Sequence, residues 1–307
     1  MMPFFTVVIP VFNKASFIER TLNSVIHQSF KDFEIIIIDD GSTDESLNII
    51  NSFNDPRITI FSVENKGVSA SRNHGISKAN TNYIALLDAD DFWEPNFLET
   101  IKLAISAYPD ESIFTTALAH KFDNKVIASD YNFSVNSQFT VLNYFRNSLK
   151  HQLLTSSSMV FKTSIIEITG LFDTNLESGE DTDLWIRFGL HYDVVFINKI
   201  LAYYNHNNNS LSKSNLDLNA KPKFDKYLSE EKENKDLKKL LDKNRFSLAI
   251  LSKLHNNKSL FEFYKNSLAI ENLNLKQRLL LQCPKQILQL FLKLKSLNGT
   301  KLYHKPL

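Results

Sequence analysis

The chain has 307 residues, of which 43% are hydrophobic and 22% are charged, and its formal net charge is +1. This composition is ordinary for a folded protein and excludes collagen-like and extensively disordered sequences. A chain of this length can bury a sizeable core. Its balanced charge creates no overall field that would favour nucleic acid, so we expect no nucleic-acid partner.

Cysteine content and the first residues bear on the cellular compartment. The single cysteine, Cys283, excludes an internal disulfide and a thiol cluster for zinc, as is typical of a reducing compartment. The first residues lack the basic region and cleavage site of a signal peptide, and no apolar run approaches the roughly 20 residues of a membrane span. We therefore expect a cytoplasmic protein.

Short apolar runs alternate with helical spacing over the first third of the chain. Apolar residues recur at helical spacing from Ile18 to Ile26, and Asp44–Phe53 and Ser69–Lys78 are further candidate helices. The alternation predicts a β-α-β-α arrangement with a parallel sheet. The predicted strands are Phe5–Pro10, Phe33–Asp39, Arg57–Val63 and Tyr83–Asp88.

The middle of the chain, from Ile113 to Leu211, mixes strand-like and helical patterns. No linker rich in Pro, Gly or Ser separates it from the first part, so we expect one α/β domain over residues 1–212, with halves at 1–118 and 119–212. Asn205–Asn209 is locally polar and is predicted to be a loop. The predicted elements are strands at Ser156–Phe161, Val194–Ile197 and Leu201–Tyr204 and helices at Thr163–Thr169 and Asp181–His191.

Beyond Ser212 the composition shifts to Lys, Asn, Glu and Leu. Leucines from Leu237 to Leu251 keep helical spacing, which predicts a helical region over 213–307. Pro284 and Gly299 suit the start and the stop of a last helix. From Lys285 onward there are five lysines and no acidic residue, so this helix could lie on an anionic membrane surface. We expect it to dock on the catalytic domain instead, because its apolar stripe is narrow. The stripe consists of Ile287, Leu288, Phe291 and Leu294.

Acidic residues follow the second and the fourth predicted strands, at the edge where open α/β sheets bind ligands. The second strand ends in Asp39 and Asp40, and the fourth is followed by Asp88, Asp90 and Asp91. Clustered carboxylates repel unless a cation neutralises them. The spacing of Asp88 and Asp90 lets both face one hard ion, and oxygen ligands suit Mg²⁺ or Mn²⁺. A capped turn and a solvated acidic loop are the alternatives.

Two further segments could carry chemistry. Asn65–Asn73 is a glycine-bearing loop that runs into a helix with Arg72, which suits an anion or a nucleobase edge, although a surface arginine is the alternative. Glu180 and Asp181 open a predicted helix, where acids complement the helix dipole or supply a general base. The chain has no G-x-G-x-x-G or G-x-x-x-x-G-K motif, so a metal must neutralise phosphate charge.

Four segments together carry a family pattern over about Thr6 to Ser212. They are VVIPVFNKASFIERTLNSVIHQSFKDFEIIIIDDGSTD, ENKGVSASRNHGI, YIALLDADDFWEPNFLE and GLFDTNLESGEDTDLWIRF. The chain resembles glycosyltransferase family 2, a group of inverting transferases with the GT-A fold that includes enzymes of capsule, O-antigen and exopolysaccharide synthesis. The resemblance implies a mixed, mainly parallel Rossmann-like sheet flanked by helices, with a helical C-terminal appendage.

The resemblance also implies ligands and residue roles. It implies a nucleotide-sugar donor, usually a UDP-sugar, held by residues 1–118, a saccharide or lipid-linked acceptor held by 119–212, and Mn²⁺ or Mg²⁺. Asp181 matches the base that deprotonates the acceptor hydroxyl as the sugar inverts. Asp90 and His206 match the metal side, and Glu180 and Trp185 are possible sugar contacts. The residues implied to hold the nucleotide are Pro10, Val11, Asn13, Asp39, Asp40, Gly67, Arg72, Asp88 and Ala89.

The chain departs from the family pattern at one position, and two other functions are alternatives. Tyr204 stands where many relatives carry an arginine two positions before the histidine, which leaves diphosphate binding and the role of His206 open. A nucleotidyltransferase would carry a G-x-G-x-R-type loop after the first strand, where this chain has Val11–Lys14. A non-catalytic carbohydrate-binding protein would have no reason to keep clustered acids that repel one another.

Overall fold

The computed structural model describes residues 2–122, 125–206 and 217–297. The chain falls into two compact units, which we call the sheet unit (Met1–Asn175 with Glu180–Ser214) and the helical unit (Leu176–Gly179 with Asn215–Leu307). Most of the predicted loop at Asn205–Asn209, the predicted boundary at residue 212 and the predicted stop at Gly299 lie outside the described residues.

The described part of the sheet unit forms a sheet of ten strands. Eight of them follow the order β3-β2-β1-β4-β9-β6-β10-β5, and β7 pairs with β6 and β8 with β10. The first four strands run parallel, β9 reverses the direction, and β6 and β10 are parallel to each other. The strands are β1 (Phe5–Val11), β2 (Phe33–Asp39), β3 (Ile58–Ser62), β4 (Tyr83–Leu86), β5 (Phe92–Trp93), β6 (Ile113–Phe122), β7 (Lys125–Ala128), β8 (Phe139–Leu142), β9 (Met159–Lys162) and β10 (Val194–Asn205).

Branched aliphatic residues explain the parallel half of the sheet. Ile35–Ile38 of β2 is buried on both faces, as the unbroken apolar run predicts for a covered central strand. In the register, Val11 lies opposite Asp39 and Val8 lies opposite Leu86. The residues that follow β1, β2 and β4 therefore emerge together at one edge of the sheet, which we call the carboxyl edge.

Seven described α-helices accompany the sheet. On α1 the buried residues are Ile18, Thr21, Leu22 and Val25, close to the predicted face. On α3 the packing against β1 is so close that a methyl group added at Gly75 would overlap Cγ1 of Val8. The helices are α1 (Ile18–Ile26), α2 (Ser46–Asn51), α3 (Val68–Lys78), α4 (Phe97–Ala107), α5 (Tyr144–Asn147), α6 (Ile166–Thr169) and α7 (Glu180–His191).

Three of the elements predicted in the antiparallel half differ from the structure. The two runs predicted around residues 194–204 form the single strand β10, because its pairing with β6 shifts register between Ile197 and Ile200 and again before Ala202. The run predicted as a strand from Ser156 begins with a 3₁₀ turn, Ser156–Ser158, before β9. The helix predicted from Thr163 likewise begins with a 3₁₀ turn before α6.

The helical unit contains five described α-helices around one apolar cluster. The leucines from Leu237 to Leu251 that predicted a helix lie on α9 and are buried. No helix in the described ranges is long and apolar enough to cross a membrane. The helices are α8 (Leu228–Glu233), α9 (Lys235–Leu254), α10 (Lys258–Ser267), α11 (Leu275–Gln282) and α12 (Lys285–Leu297).

The apolar stripe predicted on the last helix is divided in the structure. Leu288 is buried in the cluster of the helical unit, together with Leu280 and Leu281 of α11. Ile287 and Phe291 are exposed, and the side chain of the fourth predicted member, Leu294, lies outside the described residues. The mixed sheet flanked by helices and the helical C-terminal region, both predicted from the sequence, are confirmed.

Candidate active site

The loops after β1 and β2 are joined to each other at the carboxyl edge. Asn13 adopts a left-handed conformation with φ of 51°. Its backbone N–H donates to Oγ of Ser42 at 3.1 Å, and its side-chain Oδ1 accepts from the backbone N–H of Thr43 at 2.8 Å. Pro10 and Val11, two predicted nucleotide contacts, are buried in β1 just before this turn. The structure thus places Pro10 and Val11 at the end of β1 and Asn13 in the loop that is joined to the loop after β2.

The two acids at the end of β2 have different surroundings. The carboxylate of Asp40 accepts from the backbone N–H groups of Lys66 and Gly67, both at 2.9 Å, and so fixes the loop that leads into α3. Gly67 has φ of 87°, a conformation that favours glycine. Asp39 is also buried and accepts from the backbone N–H of Ser42 at 3.3 Å. Asp40 and Gly67 therefore have clear structural roles as loop anchors.

Arg72 joins the end of β4 to the start of α7. Its Nη2 donates to Oδ1 of Asp88 at 2.7 Å and its Nη1 to Oε1 of Glu180 at 3.3 Å, while the guanidinium lies over the ring of Phe172. Burial alone would lower the pKa of Arg72, but the charges of Asp88 and Glu180 outweigh it and raise that pKa. Only 5% of Arg72 is exposed, and both of its terminal nitrogens are used for carboxylates, so the direct nucleotide contact implied for it stays a prediction.

The acidic loop after β4 meets a lysine that the sequence did not single out. Oδ2 of Asp90 lies 2.5 Å from Nζ of Lys14, in the loop that follows β1. The backbone carbonyl of Ala89, a predicted nucleotide contact, accepts from Oγ1 of Thr21 at 2.9 Å and is held against α1. Lys14 could have been noticed, since it directly follows the Val11–Asn13 segment that the family resemblance marks.

Asp91 is the third acid of this loop, and its hydrogen bonds hold the loop in place. It is 1% exposed and accepts from Oγ of Ser157 at 2.5 Å and from the backbone N–H of Asn205 at 2.9 Å. Burial, with the charges of Asp88 and Asp90 beside it, raises the pKa of Asp91 well above its ordinary value. Asp91 thus ties the acidic loop to β10 and to the 3₁₀ turn before β9.

The pair that opens α7 lies beside Arg72. Glu180 is largely buried, and burial together with the neighbouring charge of Asp181 raises its pKa, although the charge of Arg72 opposes the shift. Oδ1 of Asp181 accepts from the backbone N–H of Thr182 at 2.6 Å, and Asp181 is half-buried. The structure therefore gathers four of the predicted residues, Arg72, Asp88, Glu180 and Asp181, at one place.

Trp185 does not belong to this group. It is fully buried, one helical turn beyond Asp181, and packs against Phe172 and Phe188 with ring centroids 6.0 and 5.5 Å away. The helical spacing of α7 requires an apolar residue there to face the core. The structure therefore gives Trp185 a packing role in the core, and the sugar contact implied for it stays a prediction.

His206 is the first member of a hydrogen-bonded row of three histidines. Its Nε2 lies 2.9 Å from Nδ1 of His120, and Nε2 of His120 lies 3.0 Å from Nε2 of His151. The ring of Phe122 stacks on His206 with centroids 4.2 Å apart. The row lies at the carboxyl ends of β6 and β10, next to the point where Asn205 binds Asp91.

One carbonyl sets the direction of the histidine row. Nδ1 of His151 lies 3.0 Å from the carbonyl oxygen of Gln152, which can only accept, so His151 carries a proton on Nδ1. When all three rings are neutral, His120 then donates from Nε2 to His151, and His206 donates from Nε2 to His120. Nδ1 of His206 is left unprotonated, and the predicted metal contact of His206 would use that atom.

A divalent cation fits the donor set of the acidic loop. Asp88 and Asp90 are partly exposed oxygen donors, of the type that Mg²⁺ and Mn²⁺ prefer, and the ammonium of Lys14 shows that Asp90 accepts a cation. Among the described residues, no three His, Cys, Asp or Glu side chains are arranged to hold a metal ion. In this structure Asp88 and Asp90 are paired with different basic residues, Arg72 and Lys14.

Solved structures share the sheet and helix arrangement. Residues 1–349 of S. aureus TarS, in complex with UDP-GlcNAc, give a TM-score of 0.61 at 17% identity and cover 86% of this chain and 72% of that one. The mannosyltransferase PcManGT from Pyrobaculum calidifontis, in complex with GDP-Man and Mn²⁺, gives 0.52 at 18% identity over 69% of this chain and 59% of that one. At such identities the likeness shows the fold alone, which is the GT-A fold of glycosyltransferases.

Sequence similarity gives the family. The family model for Glycosyl transferase family 2 matches residues 6–169, more than half of the chain, so the chain belongs to that family. The resemblance predicted from the four segments is thereby confirmed. The chondroitin synthase of Pasteurella multocida is 29% identical over 230 residues, which is 72% of this chain and 22% of the relative. This chain therefore matches about a fifth of the length of that curated relative.

Proposed function

We propose that this protein is an inverting glycosyltransferase that moves a sugar from a UDP-sugar to a hydroxyl group of a saccharide or lipid-linked acceptor, in bacterial surface polysaccharide synthesis in the cytoplasm. One observation carries the proposal: Asp181 lies next to Glu180, Arg72 and Asp88, so a candidate base stands beside the acidic carboxyl edge. Family membership and the chondroitin synthase relative support it.

In this proposal residues 1–118 hold the donor and 119–212 hold the acceptor. Asp39, buried at the end of β2, accepts a hydrogen bond from the base. The loop containing Asn13 lies beside it and contacts the nucleotide. Asp40 and Gly67 hold the loop before α3 in place through the hydrogen bond between them. Arg72 acts by placing Asp88 and Glu180, since both of its terminal nitrogens are used for those carboxylates.

Asp88 and Asp90 are the residues that we propose hold Mn²⁺ or Mg²⁺, with His206 as a further candidate. Bound there, such a cation supplies Lewis-acid stabilisation of the charge on a leaving diphosphate. Lys14 pairs with Asp90 in this structure, and in this proposal the cation takes the place of its ammonium beside Asp90. The row of histidines restricts the orientation of the His206 ring.

The chemical step follows from the position of Asp181. The acceptor hydroxyl gives its proton to the carboxylate of Asp181 while its oxygen forms a bond to the anomeric carbon. The bond from that carbon to the diphosphate oxygen breaks, and the electron pair leaves with the diphosphate. Attack occurs on the face opposite the leaving group, so the configuration inverts and no covalent enzyme intermediate is needed.

Asp181→Asn tests the proposal. The amide keeps the size of the side chain but cannot take the proton, so we expect sugar transfer to fall by about 100-fold or more, while UDP binding, measured by thermal shift, stays unchanged. Asp110→Asn, a change of the same type at an exposed position, is the matched control. Undiminished turnover in purified Asp181→Asn protein would remove Asp181 as the base, and absence of UDP binding in the unaltered protein would remove the donor assignment.

A further inference from the structure

Five large apolar side chains are exposed on the last two described helices, α11 and α12. Leu275 and Leu279 are four positions apart and share one face of α11. Ile287, Leu290 and Phe291 follow the same helical spacing on α12. Their exposed fractions are Leu275 74%, Leu279 55%, Ile287 42%, Leu290 55% and Phe291 40%.

These exposed side chains are additional to the ones that hold the two helices in place. Leu280 and Leu281 of α11 and Leu288 of α12 are buried in the cluster of the helical unit. Each helix therefore carries more large apolar side chains than it buries in that cluster. Leaving a group of such side chains in water is unfavourable, so the group indicates a surface that is covered by a partner.

The charge on these helices specifies the partner. Residues 272–297 contain five basic residues and no aspartate or glutamate, although the whole chain carries a net charge of only +1. A second copy of the same face would bring these positive charges against each other, which is unfavourable. An anionic surface with an apolar layer beneath it suits both the positive charge and the exposed leucines. The basic residues are Lys276, Arg278, Lys285, Lys293 and Lys295.

We propose that α11 and α12 bind the surface of an anionic phospholipid bilayer. The five apolar side chains enter the boundary between headgroups and acyl chains, and the basic residues contact the anionic headgroups. The contact is peripheral, since no helix in the described part of the chain is long and apolar enough to span the membrane. A transferase bound to the membrane in this way would have access to lipid-linked acceptors. Membrane binding itself does not depend on the transfer activity.

Vesicle sedimentation with the full chain tests the surface. We expect binding to vesicles of phosphatidylcholine and phosphatidylglycerol, little binding to phosphatidylcholine alone, and weaker binding as salt is raised. Leu279→Glu on α11 and Leu290→Glu on α12 should each weaken binding by about tenfold or more, because each removes an exposed leucine that would enter the bilayer and adds a negative charge that the anionic headgroups repel. Leu103→Glu on α4 is the matched control, since that leucine is also 55% exposed.

Two results would overturn the proposal. One is vesicle binding that neither α11 nor α12 variant reduces relative to Leu103→Glu. The other is a dimer in analytical ultracentrifugation that Leu279→Glu and Leu290→Glu dissociate, since the face would then belong to a second copy. UDP binding, measured on the same proteins, keeps the two proposals separate. Variants that no longer bind vesicles but still bind UDP support the membrane surface. If the unaltered chain binds vesicles but not UDP, only the donor assignment is wrong.

Discussion

Single side chains decide the charge state of the carboxyl edge. Asp90 is paired with Lys14 and Asp88 with Arg72, while burial, with the charges of Asp88 and Asp90, raises the pKa of Asp91. Two of the three acids within these four residues are thus balanced by an ion pair with a basic residue. Because the ammonium of Lys14 is the most exposed of these partners, its contact with Asp90 is the one that a metal ion can most readily replace.

Lys14→Met should therefore change metal binding. Without the ammonium, Mn²⁺ no longer has to displace a cation from Asp90, and we expect the affinity for Mn²⁺ in the absence of nucleotide to rise about tenfold. Electron paramagnetic resonance titration of free Mn²⁺ measures this affinity. Lys199→Met, at an exposed position of β10, is the control. An unchanged or weaker affinity would mean that Lys14 does not compete for the metal position.

At the scale of elements, an ion pair fixes the turn before β3. Asp55 accepts from Nε and Nη2 of Arg57 at 3.0 and 2.7 Å, and Nη2 also donates to the carbonyl of Ile26 at the end of α1. The guanidinium lies over the ring of Phe33, at the start of β2. The hydrogen bond from Arg57 lowers the pKa of Asp55. The turn, α1 and β2 are thereby joined at the edge of the sheet opposite the candidate site.

The contribution of Asp55 to stability should depend on pH. A carboxyl group whose pKa is lowered by folding stabilises the protein above its unfolded pKa of about 3.9, and loses that effect as pH falls through the folded value. Asp55→Asn should lower the free energy of unfolding by about 1–2 kcal/mol at neutral pH, with a smaller loss below pH of about 3. Urea unfolding across pH measures this. Asp130→Asn, at an exposed ion pair, should show no such trend.

The strands and helices that could be predicted from sequence are those with a regular local pattern. The run Phe33–Asp39 is buried at nearly every position, and its predicted limits are those of β2. Strand β10 was predicted as two runs, because Asn198 and Lys199 interrupt the apolar pattern where the strand bulges. Alternation of residue types cannot distinguish a bulge from a loop. The pairing partner β6 decides which of the two forms.

The residues of the site were predictable where a motif carried them and not where contacts join distant segments. Asp88, Asp181 and Arg72 come from the family segments, and the structure brings them together. The row of histidines has no sequence signal, because His120 lies 86 positions from His206 and 31 from His151. Contacts of that kind become visible only when the sheet places the strand ends side by side.

At the scale of the molecule, the helical unit has its own polar core. Arg245 binds both carboxylate oxygens of Glu231, at 2.5 and 2.7 Å, and also contacts Asp242 at 3.3 Å. All three side chains are at most 3% exposed, and Lys238 also contacts Asp242. Removing one member of such a buried network is unfavourable, because its partners are left as buried charges without compensation.

Arg245→Met should destabilise the helical unit by about 3–5 kcal/mol, because it leaves Glu231 without its main partner and Asp242 with one fewer. Urea unfolding followed by circular dichroism measures the loss. Lys265→Met removes an exposed pair with Glu262 and should cost less than about 1 kcal/mol. A small effect of Arg245→Met would show that the helical unit does not depend on this network.

Gly75 and Val8 form a pair that can evolve only in one order. Helix α3, which carries Arg72, rests on β1 at a distance that only a hydrogen atom at position 75 permits, since a methyl group there would overlap Val8. An alanine at position 75 becomes acceptable after Val8 has been replaced by a smaller residue, whereas the reverse order passes through a clash. In a library that varies both positions, we therefore expect residues larger than glycine at position 75 to fold only together with a residue smaller than valine at position 8.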